Sequence, residues 1–81
     1  MTTQKQKKSL SVICIAKGSE YQITTDNETY NLVKMADFQN WDINYYNKDE
    51  DRNYYIITFT TLKECKEFLL THKKSEMRIF P

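Results

Sequence analysis

The sequence predicts a small α+β domain, an antiparallel sheet built strand after strand and followed by one amphipathic helix packed on one face. Three observations carry that prediction. Runs of period-two alternation separated by turn residues fill most of the first two thirds of the chain. One later stretch combines helix-start chemistry with a 3.6-residue apolar stripe. With one Gly and one Pro in 81 residues, the connections between elements are expected to be short.

Residues 1–8 carry Lys5, Lys7 and Lys8, no apolar residue after Met1 and no periodicity, so they read as a disordered basic arm ahead of a single domain over 9–81. Leu10, Val12, Cys14 and Ala16 then alternate with Ser11, Ile13, Ile15 and Lys17, the pattern of a strand. Gly18-Ser19 suits a two-residue type II′ turn, which would pair Lys17 with Glu20, Ala16 with Tyr21 and Cys14 with Ile23. Asp26-Asn27 is a second two-residue turn, pairing Thr25 with Glu28, Ile23 with Tyr30 and Tyr21 with Leu32. One face of this meander collects Leu10, Val12, Cys14, Ala16, Tyr21, Ile23, Tyr30 and Leu32. The other is mostly Ser, Thr, Gln, Asn and charge, interrupted by Ile13, Ile15, Val33 and Met35.

After a connector at 36–40, Trp41, Ile43 and Tyr45 alternate with Asp42, Asn44 and Tyr46, marking a half-buried strand with Trp41 and Tyr45 in the core. Residues 47–53 form a polar turn. Residues 54–59 are β-branched or aromatic at every position, which predicts a central strand or one covered on both faces. Thr61 and Glu64 have the spacing of a capping box, in which hydroxyl and carboxylate satisfy unpaired amides at a helix start. Leu62, Cys65, Leu69 and His72 then share one stripe beside Phe68, while Lys63 and Glu67 face outward. Lys73 and Lys74 fall where a helix dipole favours cations, and residues 77–80 are expected to add a last short strand.

The composition, 40% apolar and 14% aromatic, suits one compact core rather than a disordered chain. No run approaches the roughly 20 apolar residues of a membrane span, and the polar start lacks the apolar stretch of a secretory signal, so a cytoplasmic protein without membrane contact is expected. Cys14 and Cys65 lie far apart in apolar patterns and read as reduced, buried thiols. His72, the one histidine, has no partner residues placed near it for acid, base or metal work, and neither cysteine has a second ligand at metal spacing. Gly18 alone cannot make a phosphate-cradling loop. The Asp49, Glu50, Asp51 turn lacks the glycine and the distal bidentate acid of a calcium loop. No enzyme, cofactor or metal is expected.

Charge is unevenly distributed. Residues 1–19 sum to +4, 20–51 to −6 and 52–81 to +3, leaving a net +1. In the acidic middle, Tyr46 falls on the face of Asp42 and Asn44, next to the turn of Asp49, Glu50 and Asp51. These six residues form the candidate partner-binding surface. Carboxylates on a rigid sheet can imitate nucleic-acid phosphates and occupy a basic groove on another protein. The reading is therefore a small non-catalytic binding module or inhibitor of the kind mobile genetic elements encode, monomeric or homodimeric. The alternative is a nucleic-acid-binding module that uses the basic arm, Lys73, Lys74 and the aromatic strands, although its dominant charged region is negative.

Overall fold

The computed structural model of the chain describes residues 9–35 and 39–79. The expectations for the basic arm with Lys5, Lys7 and Lys8, for Asp37 and Phe38, and for Phe80 lie outside the described residues. Five strands, β1 (Ser11–Ala16), β2 (Glu20–Thr25), β3 (Glu28–Lys34), β4 (Trp41–Asn47) and β5 (Arg52–Phe59), form one antiparallel sheet in chain order. The helix α1 (Leu62–Thr71) follows, then a single 3-10 turn at Lys74–Glu76. The expected α+β class is the one found.

Two of the hairpins, β2–β3 and β4–β5, are dictated locally. Asp26 and Asn27 both take positive φ, 54° and 62°, as a two-residue turn between right-twisted strands requires, and Asp and Asn tolerate that region better than other non-glycine residues. The register that follows pairs Thr25 with Glu28, Ile23 with Tyr30 and Tyr21 with Leu32, as the sequence predicts. Between β4 and β5, the Asn47 side-chain oxygen accepts from the backbone N–H of Asp49 at 3.0 Å and of Glu50 at 3.1 Å. Asp51, at φ 53°, returns the chain into β5.

The first hairpin departs from expectation. Its loop is three residues long, with Ser19 N–H donating to the Ala16 carbonyl at 2.9 Å and Gly18 at φ 79°, and a bulge between Cys14 and Ala16 absorbs the mismatch. Cys14 therefore pairs with Tyr21, and Val12 with Ile23, two residues away from the expected register. Because the slip is even, the Val12 and Cys14 side chains keep their face.

Burial on that face stops short of β1. Every residue from Ser11 to Ala16 is exposed, and Cys14 is an exposed thiol rather than a buried one. The physical reason is coverage, since α1 packs against β5 and β4 at the far side of the sheet.

The apolar run in β5 also has a different cause from the one expected. β5 is an edge strand, not a central one. A bulge opposite Ile43 and Asn44 pairs Ile43 with Ile57 and Asn44 with Tyr55, which leaves Ile56 as the extra residue. Ile56 is buried and Ile57 also packs against the core, so both consecutive isoleucines serve one face while Tyr55 points to the other.

Thr61 caps α1 as predicted. Its hydroxyl accepts from Glu64 N–H at 3.2 Å, and the Glu64 carboxylate accepts from Thr61 N–H at 3.2 Å. Leu62, Cys65 and Leu69 face the sheet, and Phe68 stacks on His72 with ring centroids 4.3 Å apart. The helix ends at Thr71 with His72 as its C-cap, so Lys73 and Lys74 lie beyond it, not in its last turn. No strand forms over 77–79. The segment leaves a 3-10 turn, and Met77 and Ile79 pack on the core as irregular chain.

The core consists of Ile23, Tyr30, Leu32, Trp41, Ile43, Tyr45, Ile56, Cys65 and Leu69. Burial pushes the Tyr30 hydroxyl up to about 12, with Glu28 adding. Thr25, 3% exposed, has a hydroxyl without a hydrogen-bond partner among the described residues.

Two stability changes follow. Leu69 is fully buried, so Leu69→Ala should lower unfolding free energy by about 2–5 kcal/mol. A melting temperature within a degree of the parent would show that the helix does not pack this way. Thr25→Val removes an unpaired hydroxyl at nearly constant shape and should stabilise the domain by about 1 kcal/mol or more in urea unfolding. A loss of stability would place a bonded partner at Thr25.

Candidate functional site

The cover on one side of the sheet leaves the opposite, outer face open. Strand pairing arranges that face in rows: Ser11, Thr24, Thr29, Tyr46 and Asn53; then Ile13, Gln22, Asn31, Asn44 and Tyr55; then Glu20, Val33, Asp42 and Thr58. Its centre is amide and hydroxyl, and its strand positions hold Glu20 and Asp42 but no Lys or Arg. The basic residues Lys34 and Arg52 point to the helix side, where Arg52 stacks over the Tyr54 ring at 5.1 Å.

Asp42, Asn44 and Tyr46 do share this face, in line along β4. The hairpin loop divides its acids. Asp51 reaches up to the outer face, where its carboxylate accepts from the Tyr46 hydroxyl at 2.5 Å, and this bond holds the phenol above its usual range. Glu50 turns to the helix side and accepts from the Tyr54 hydroxyl, which is likewise raised. Asp49 is exposed in the loop. The structure thus groups Asp51 with Tyr46 and separates Glu50 from them.

A second hydroxyl relay fixes the other end. Thr58 donates to Asp42 at 2.5 Å, which leaves the Thr58 oxygen to accept from the Tyr55 hydroxyl at 2.7 Å. Asn31 bridges across β4 to Asn53 at 2.7 Å. Tyr46 and Tyr55 are therefore aromatic groups tied down by carboxylate-anchored bonds, with little rotamer freedom left to lose on docking. Tyr55 and Thr58 are site residues that sequence reasoning missed. The signal was the Ile56-Ile57 doublet, which in a half-buried strand marks a bulge and reverses the facing of everything before it.

Of the alternative basic cluster, Lys73 and Lys74 are among the described residues. Lys74 lies on the helix side, where its ammonium donates to the Tyr45 hydroxyl at 3.0 Å, sits 4.3 Å from the Tyr45 ring centroid and approaches Glu28 at 3.9 Å. The Tyr45 bond, with Glu28 adding against slight desolvation, raises its pKa. Lys73 is exposed past the helix end. Among the described residues no group of three or more His, Cys, Asp or Glu could hold a metal ion, and no helix is long and apolar enough to cross a membrane.

Comparison with known proteins gave no matching family model, no matching curated protein and no matching solved structure.

The two thiols should react very differently. Burial, reinforced by Glu64 and Asp42, pushes Cys65 up to about 12, whereas Cys14 is exposed on the edge strand. Ellman-type labelling of the native protein should modify one thiol per chain quickly, with the second appearing only on unfolding. Two fast thiols, or none in a dilute monomer, would contradict this packing.

Proposed function

We propose that this chain is a non-catalytic protein-binding module whose outer sheet face docks into a basic surface of another macromolecule, as an inhibitor or phosphate mimic does. The carrying observation is the pairing of charge with exposure. The open face holds acids and tethered tyrosines and no strand cation, while an apolar corner of Ile13, Ile15 and Val33 adjoins it. Interfaces gain most of their energy from rigid aromatics seated in partner pockets, and rim carboxylates steer the encounter. Asp42 and Asp51 sit at opposite ends of the Tyr46 to Tyr55 surface and suit that steering role. A nucleic acid fits this face poorly, because the phosphate backbone needs cations beside the stacking aromatics.

The roles separate kinetically. Once a partner is captured, reversing the exposed Asp49 to Lys should chiefly slow association and weaken its salt dependence, whereas reversing Asp51 as well also releases the Tyr46 hydroxyl. Tyr46→Ala should chiefly speed dissociation, by about tenfold or more. Surface plasmon resonance at two salt concentrations measures both. Unchanged rates in two folded variants would assign the interface elsewhere, and salt-sensitive nucleic-acid binding lost on removing Lys5, Lys7 and Lys8 would favour the nucleic-acid reading.

A further inference from the structure

We infer that β1 is a self-pairing edge, and that two copies of this chain join β1 to β1 antiparallel about a two-fold axis to make one continuous ten-stranded sheet. The inference stands apart from the docking role of the outer face, since it needs no second protein.

The hydrogen-bonding parity of the edge follows from the register. Lys34 N–H donates to the Ser19 carbonyl at 2.8 Å, so with Tyr21 opposite Leu32 and Ile23 opposite Tyr30, the odd-numbered residues of β2 bond to β3. Gln22 and Thr24 must then bond to β1, where they face Ile13 and Ser11. The alternation turns the backbone N–H and C=O groups of Val12 and Cys14 outward, along an edge that no strand of the described residues pairs.

That edge lacks the usual guards. Ser11–Ala16 contains no charge and no proline, every residue in it is exposed, and Val12, Ile13 and Ile15 are 44%, 51% and 53% exposed. Its one irregularity, the bulge between Cys14 and Ala16, lies at the end and leaves Val12 and Cys14 in register. β5, the other edge, carries its bulge mid-strand at Ile56 and opens with Arg52.

A second copy is the occupant that the charge pattern favours. In a two-fold pair the strand meets its own copy reversed, so a charge in β1 would lie near the same charge across the axis, and here there is none. Centring the axis on Ile13 lets Val12 bond Cys14 of the other copy and Cys14 bond its Val12, using both outward residues. Ile13 then meets Ile13 in the close, non-hydrogen-bonded position on the outer face. Val12 and Cys14 cover each other on the helix side. A ladder over residues 11–15 belongs to the small class of interfaces, so the dimer should be concentration-dependent.

Sedimentation equilibrium of the full chain from micromolar to millimolar concentration should show a shift from the 9.8 kDa monomer toward twice that mass. Amide exchange read residue by residue should show Val12 and Cys14 gaining protection with concentration, while Ile13 is protected throughout. Val12→Pro, which removes an outward N–H without touching a β1–β2 bond, and Ile13→Lys, which sets two ammoniums face to face, should each restore the monomer with a native circular dichroism spectrum. Val33→Lys, on the same face but two strands in, should leave the dimer intact. A monomer across the whole range overturns the inference. So does a dimer that survives Val12→Pro and Ile13→Lys, or one dispersed by Val33→Lys instead, which would indicate outer faces stacked on each other.

Discussion

The architecture depends on how little one helix can cover. An α-helix with its side chains is about 10–12 Å across, and neighbouring strands are about 4.8 Å apart, so α1 shields roughly two strands of a five-stranded sheet. It has no choice of which two. β5 ends at Phe59 and the helix starts at Leu62, so the short join drops α1 onto β5 and its neighbour β4. Phe59 against Phe68, with centroids 5.5 Å apart, closes that join. Cover further across comes from large side chains on the sheet itself, Tyr21 beside Trp41 and Tyr30 beside Tyr45, and from Leu10, Met77 and Ile79. β1 lies beyond their reach and is left exposed on both faces.

Local chemistry made part of this fold legible in the sequence. The Asp26-Asn27 turn and the Thr61–Glu64 cap are set by residues a few positions apart, so their registers and boundaries could be read directly. Alternation correctly assigned Trp41 and Tyr45 inward and Asp42, Asn44 and Tyr46 outward, because β4 runs without a bulge on its β3 side. Each failure involved something that periodicity does not report. The Gly18 hairpin allows two loop lengths, and the choice was made by a bulge and by the Tyr21 hydroxyl accepting from Gly18 N–H at 3.2 Å, neither of which has a sequence period. The burial of Cys14 depended on how far a helix fifty residues away would extend, and β-branched content could not tell a covered central strand from a bulged edge.

The site was half legible for the same reason. Its β4 members follow from alternation alone, but Tyr55 enters only through the bulge at Ile56, and the division of the loop acids depends on which tyrosine each can reach. The charge blocks along the chain also acquire a meaning that linear order hides. The acidic middle supplies the central strands and the last hairpin loop, whereas the later bases sit on the helix side of β5 at Arg52, on α1 and on the segment after it. Segments that nearly cancel in net charge leave the strand positions of the outer face with Glu20 and Asp42 and no cation, and an approaching partner senses the face rather than the sum.

Solvation alone gives no reason for isoleucine at positions 13 and 15. Serine, threonine or lysine would fill a half-exposed edge with equal strand propensity or better protection against mispairing. Fully burying an isoleucine is worth about 1.5–3 kcal/mol, so a side chain that the fold leaves about half exposed retains roughly 1 kcal/mol that the monomer does not collect. Ile13 and Ile15 carry that reserve two positions apart, alongside the outward backbone of Val12 and Cys14. Backbone groups that need a strand and side chains that need cover occur on the same six residues. A single event, the addition of a sixth strand, satisfies both, and a ligand that covered only the face or only the edge would satisfy one.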